Sequence, residues 1–216
     1  MYRNIISLSL ALIFGFSFAM GAGPDDKAKN ILNQSKKQLE ALNDFSANFT
    51  YVIKNPRMSN NPAARKGFLK YMKGMYAVML NDQEIFCNKQ YVWLHLKDEE
   101  EVSIMDYDAS ESFSVESIFD VYNHSGKAQY QGTESIGGAS CHKIYMVINE
   151  TGLGYNQATI WINTKTNMPV KVLLKDRNQT QTIYEFSNFK KNQGFSSKDF
   201  EFNVATFDGE VYDETE

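Results

Sequence analysis

The sequence is poor in the residues that carry most active-site chemistry. It has two cysteines, three histidines and four prolines in 216 residues. Cys87 and Cys141 stand far apart, each in a strand-like stretch. Two cysteines do not make a framework, so they read as buried thiols, with a disulfide in an exported protein as the alternative. His95, His124 and His142 are equally dispersed and lack the H-E-x-x-H ligand spacing, so no metal centre is expected. There is no G-x-S-x-G elbow, P-loop or dinucleotide fingerprint. Asp106 and Asp108 come closest to a carboxylate pair, but they end a strand and enter a turn, where acids are ordinarily solvated. The run Glu99-Glu100-Glu101 reads as a loop tip for the same reason. Neither catalysis nor a cofactor is expected. A basic stripe is also missing: the net charge is −4 and the cations are scattered. That excludes nucleic acid as a partner and leaves anionic membrane surfaces without an obvious docking site. The scarcity of proline, with Pro56 and Pro62 together in one polar segment, suits an extensive sheet.

Long apolar runs are scarce as well. The one present, Ile5 to Phe18, follows Arg3 and ends in small residues, with cleavage expected after Ala19 or Gly21. This is the pattern of a secretory signal peptide, residues 1–21, with an uncleaved membrane anchor as the alternative. No cysteine stands near the cleavage site, so lipidation of the new N-terminus is not expected. Residues 22–216 are expected to form a single soluble, monomeric domain outside the cytoplasm.

What the sequence has in quantity is alternation. It is 43% apolar and 13% aromatic, enough for one real core. In Phe45 to Ile53, the residues Phe45, Ala47, Phe49, Tyr51 and Ile53 alternate with smaller or polar neighbours. A strand sends successive side chains to opposite faces, so this puts a row of large apolar groups on one side. Further strands are predicted at 67–73, 75–80, 84–88, 91–96, 102–107, 127–132, 139–149, 155–163, 168–176 and 179–188, with another alternation at Phe200, Phe202 and Val204. Asp208 to Glu216 is expected to fray. Pro24-Asp25-Asp26 opens a helix whose apolar stripe is Ala28, Ile31, Leu32, Ser35, Leu39 and Leu42. A short second helix is predicted over 111–122, with Val115, Ile118, Phe119 and Tyr122 on its apolar face. The strands at 75–80 and 91–96 are apolar on both faces, so both faces need cover. About eleven strands joined by short turns make a mainly β, antiparallel meander, closed or nearly closed, with the helices at its mouth or along its inner face.

Several fragments then fall in the order of a known family. Leu42-Asn-Asp-Phe-Ser-Ala-Asn-Phe49 after an amphipathic helix, Gly67 to Gly74, Asn88-Lys-Gln-Tyr-Val-Trp93, Met168-Pro-Val-Lys171 with Asp176 and Thr180, and Phe200-Glu-Phe202 together resemble LolA, the periplasmic carrier of outer-membrane lipoproteins, and its LolA-like relatives. The resemblance implies an unclosed antiparallel β-barrel wrapped over an N-terminal helix and a short lid helix. It also implies a periplasmic location and acylated lipoprotein cargo, received from an inner-membrane ABC transporter and given to an outer-membrane acceptor. The family's arginine that latches the lid falls at Lys73, which keeps the charge and loses the planar fork. The proline after it is Gly74.

Strand parity and the resemblance together place Phe45, Phe49, Met75, Ala77, Met79 and Ile85 around an acyl-chain cavity. Leu32, Leu39, Ile118 and Phe119 belong to the lid and Lys73 is its latch. The glycine-broken strands leave the reverse parity open. The readings in competition are a carrier of acylated cargo, a lipid shuttle, a LolA-like envelope-stress sensor or scaffold that binds a protein partner, and an enzyme on lipids or glycans.

Overall fold

The computed structural model describes residues 24–58, 62–108, 125–148 and 154–215. The helix expected over 111–122, with Ile118 and Phe119, lies outside the described residues, as does the segment read as a signal peptide.

Among the described residues one α-helix, α1 (Pro24–Glu40), leads into twelve strands: β1 (Phe45–Lys54), β2 (Arg65–Met72), β3 (Met75–Leu80), β4 (Gln83–Cys87), β5 (Tyr91–Leu96), β6 (Glu101–Asp106), β7 (Ser125–Ile136), β8 (Ala139–Ile148), β9 (Tyr155–Asn163), β10 (Pro169–Asp176), β11 (Gln181–Lys191) and β12 (Glu210–Asp213). They form a single sheet in the order β12-β6-β5-β4-β3-β2-β1-β11-β10-β9-β8-β7. Neighbours are antiparallel except β12, which joins β6 in parallel. The two outermost strands are not paired with each other, so the sheet is an unclosed barrel, mainly β, with the N-terminal helix against it.

Period-two patterning sorts the side chains of this sheet. Phe49 and Tyr51 of β1 face Phe186 and Tyr184 of β11, and Ala47 faces Leu69 of β2. The same face continues through Tyr76 and Val78 of β3, Ile85 and Cys87 of β4, Val172 and Leu174 of β10, Ile160 of β9, and Ile144 and Met146 of β8. With Ala28, Ile31 and Leu32 of α1, these side chains form one core on the inner face. The helix lies towards β7, with the Lys27 ammonium 3.9 Å from the centre of the Tyr130 ring.

The outer face has its own cover. Phe200, Phe202 and Val204 were expected in a strand. Instead the chain makes 3-10 turns at Ser197–Phe200 and Val204–Thr206 and lies across the outside of the sheet. Phe202 packs on Phe86 at 5.9 Å and on His95 at 5.0 Å, and Lys70 reaches Asp199 at 3.4 Å. An edge ladder would leave these rings in solvent; lying across the sheet buries Phe200 completely. This is why β3 and β5 are apolar on both faces. The tail expected to fray also differs, because Glu210–Asp213 is held as β12.

Asp44 organises this arrangement. It stands between α1, which ends at Glu40, and the start of β1 at Phe45, and its buried carboxylate accepts the backbone N–H groups of Gln193, Gly194 (3.0 Å) and Phe195 (3.3 Å). Those bonds aim the chain from β11 back over the outer face. Cys87 sits on the inner face, and Cys141 on the outer face with six strands between theirs, both buried and not joined to each other. That decides for thiols over a disulfide.

Candidate functional site: an apolar cavity on the inner face

The inner face does not pack solid. Between β1–β4 on one side and β9 and β11 on the other is a cavity of about 250 Å³. Phe49, Tyr51, Ile53, Leu69, Tyr76, Val78, Leu80, Gln83, Ile85, Tyr155, Thr182, Tyr184 and Phe186 line it. Among the described lining residues Ile53 alone is exposed, at 46%, so the cavity opens at the end of the sheet where β1 ends and β2 begins.

Aromatic rings shape the walls. Tyr51 stacks on Tyr184 at 5.9 Å, Tyr184 on Phe186 at 6.4 Å, and Phe49 lies 6.4 Å from both Tyr51 and Phe186. Gly67 makes this possible. A Cβ there would collide with the Phe49 ring and lie 2.8 Å from Leu80 Cδ2. Burial raises the Tyr184 hydroxyl well above its ordinary value, and the neighbouring Tyr155 and Tyr51 add to the effect. It therefore stays a neutral phenol, and the described lining carries no charged side chain. Such a wall offers dispersion and hydrophobic contact with a few hydroxyl and amide groups to orient a ligand.

The expected site residues are distributed as follows. Phe49 and Ile85 line the cavity. Phe45 shares their face but sits deeper, stacked on Tyr71 at 5.1 Å. Met75, Ala77 and Met79 fall on the outer face, with Ala77 fully buried. Leu32 is in the core with α1 and Leu39 packs against it; neither lines the cavity. Lys73 stands exposed at the tip of the β2–β3 hairpin, at the end away from the mouth. Of the lid it was expected to latch, α1 packs towards β7 and the 111–122 segment is outside the described residues.

The reversed parity of β3 has a local cause. Lys73 (φ 50°) and Gly74 (φ 90°) are the two central residues of the hairpin turn. Positive φ at both is the type I′ geometry, whose twist matches paired strands. Met72 therefore pairs with Met75 and Tyr71 with Tyr76, so Tyr76, Val78 and Leu80 follow Leu69 and Tyr71 inward. Centring the turn on Lys73-Gly74, instead of ending it at Gly74, gives this register from sequence. Tyr155, Thr182, Tyr184 and Phe186 come from distant strands, and no local spacing marks them.

No three-residue cluster of histidine, cysteine or acid suited to a metal occurs among the described residues. His95 lies 3.3 Å from Glu84, and His142 3.3 Å from the Tyr130 hydroxyl.

An open antiparallel sheet curved around an apolar cavity, with its helix on the inner face, is the LolA-like fold. The chain belongs to the family described as sporulation protein YdcC-like, whose model matches residues 2–200. Among curated proteins, none matches it in sequence. Several solved structures share the fold. An uncharacterized conserved protein from Thermus thermophilus is 10% identical with a TM-score of 0.58, covering 87% of this chain and 99% of that one. The lipoprotein LppX from Mycobacterium tuberculosis is 15% identical with a TM-score of 0.51, covering 80% and 99%. A DUF1329 family protein from Desulfovibrio piger is 13% identical with a TM-score of 0.50, covering 86% and 99%.

Proposed function

We propose that this protein is a non-enzymatic carrier acting outside the cytoplasm, which holds an acyl chain of its cargo in the inner-face cavity. The supporting observation is the cavity itself: about 250 Å³, uncharged, and walled by aliphatic and aromatic side chains. An engineered apolar cavity of about 150 Å³ accepts benzene, so this one has room for on the order of ten carbon atoms. At ~0.8 kcal/mol per buried methylene that is ~8 kcal/mol before costs. Association takes back at least ~4 kcal/mol. The remainder corresponds to weak, millimolar holding of a bare chain. A carrier must release, and weak holding per chain suits release; firmer binding then comes from the rest of the cargo.

The finer reading follows the LolA-like resemblance. The cargo is an acylated lipoprotein, the compartment is the periplasm after removal of residues 1–21, and residues 22–216 act as one domain. An inner-membrane ABC transporter is the donor and an outer-membrane protein the acceptor.

Native mass spectrometry of the exported protein, followed by organic extraction, tests this reading. Bound acylated peptide or lipoprotein, lost in a Val78→Glu variant, supports it. Bound free lipid identifies a lipid shuttle. An empty cavity that also rejects added acylated peptide refutes the carrier reading and favours the sensor or scaffold.

A further inference from the structure

Among the described residues, the large apolar side chains left exposed are Ile53, Met58, Val211 and Tyr212. Two of these four, Ile53 and Met58, lie at and just beyond the end of β1. Ile53 lines the cavity while 46% exposed, and Met58, 63% exposed, stands a few residues beyond the end of β1. A turn fixes the position of Met58: its N–H donates to the Asn55 carbonyl at 3.0 Å, and the Arg57 N–H donates to the Asn55 side chain at 2.9 Å.

The charge around this rim differs from that of the whole chain. The protein is net acidic, yet residues 45–81 contain no aspartate or glutamate and six cations. Four of the six, Lys54, Arg57, Arg65 and Lys66, flank the β1–β2 connection at the mouth. All four are exposed. The Arg65 guanidinium lies 5.6 Å from the centre of the cavity-lining Tyr51 ring and pairs with Asp82. Asp82, in the β3–β4 turn, is the acid paired to this rim, and the acidic run Asp98 to Glu100 stands at the β5–β6 tip, with β3 and β4 between it and β2. The rim is thus amphipathic and basic on the β1–β2 side, and acidic beyond β4. The sequence pattern alone scattered these cations; the fold brings them together.

We propose that the β1–β2 rim docks on an anionic lipid bilayer. Met58 and Ile53 enter the headgroup–acyl boundary, and Lys54, Arg57, Arg65 and Lys66 stay at the level of the lipid phosphates. A protein partner fits the rim less well, because two isolated apolar side chains fall far short of the ~800 Å² per partner of an ordinary protein interface. Docking in this pose turns the cavity mouth towards the membrane, and the acidic tip tilts away from it. The inference goes beyond the cavity reading and stands without it.

Co-sedimentation tests it, with mixed phosphatidylcholine–phosphatidylglycerol vesicles and with pure phosphatidylcholine vesicles. The protein should bind the anionic vesicles, should bind the neutral ones far more weakly, and should be released at high ionic strength. Each cation near an anionic surface is worth about fivefold in partition, so the double substitution Lys54→Gln with Arg57→Gln should weaken binding about 25-fold. A Met58→Trp reporter should shift its emission to the blue on anionic vesicles only. All three substitutions are at exposed positions that do not line the cavity. Uptake of a detergent-dispersed fatty acid, measured without vesicles, should therefore be unchanged in the double variant, so docking and cavity readings fail separately. Equal binding to both vesicle types, no binding to either, or full binding by the double variant would overturn the proposal.

Discussion

Val78 projects into the cavity from the middle of β3, and enlarging it should move stability and binding in opposite directions. At ~24 cal/mol per Å³ of unfilled core, a cavity of this size corresponds to ~6 kcal/mol of packing that the unliganded protein forgoes. A phenyl ring in the Val78→Phe variant that fills about a quarter of the space would restore ~1.5 kcal/mol. The same ring removes room for two to three ligand carbons. At ~0.8 kcal/mol each that is ~2 kcal/mol, or about thirtyfold in Kd. Urea unfolding without ligand, and titration with a fluorescent fatty acid, measure the two effects on one preparation. Met79→Phe is the control, because Met79 lies on the opposite face, and it should leave affinity unchanged. If Val78→Phe destabilises the protein while affinity stays the same, the cavity is not the binding site and the argument fails.

Other consequences can be checked with single variants. Asp44→Ala strands three backbone N–H groups that now donate to a buried carboxylate. It should cost at least ~3 kcal/mol and make residues 192–207 the first site of limited proteolysis. Gly67→Ala should push the Phe49 ring into the cavity, lowering fatty-acid uptake by more than its melting temperature falls. For Glu84, burial opposes ionisation, but hydrogen bonds from Lys97 and His95 and their charges outweigh it and hold the carboxyl below its ordinary value of 4.5. Asp199 is likewise held below 3.8, chiefly by the Ser196 backbone N–H, with burial opposing and the Ser196 hydroxyl and Lys70 adding to the lowering. A depressed folded pKa gives stability that is present above the unfolded value and is lost as pH falls through the folded one. Melting temperature should therefore drop as pH falls below 4.5, and Glu84→Gln should flatten the upper part of that drop. Burial also raises the Cys141 thiol, and Cys87 is fully buried, so neither cysteine should react quickly with a thiol reagent before unfolding, and a reductant should leave the melting temperature unchanged.

Much of the fold was legible because period-two alternation is a local signal. The bounds of β3, β5 and β9 match the predicted segments, of which β3 and β5 stood out as short apolar runs between turn residues, and α1 follows the stripe from Ala28 to Leu39. Register was harder to read, since a shift of one residue at Lys73-Gly74 exchanges the faces of β3. That is how Met75, Ala77 and Met79 came to be expected where Tyr76, Val78 and Leu80 stand. The Phe200–Val204 segment alternates like a strand because it also has one buried side, but its partner is a sheet surface and not a neighbouring strand. The bonds from Asp44 to residues about 150 positions away, and the approach of Tyr155 and Tyr184 to Tyr51, depend on tertiary closure and leave no mark in local spacing.

The central claim is that acyl chains enter the inner face between β1–β4 and β11. Nuclear Overhauser contacts from the methylenes of a ¹³C-labelled fatty acid to the protein measure this directly. The account predicts contacts to Leu69, Val78 and Ile85 and none to Met75 or Met79. Contacts confined to the outer-face methionines, or no saturable contacts at all, would contradict it.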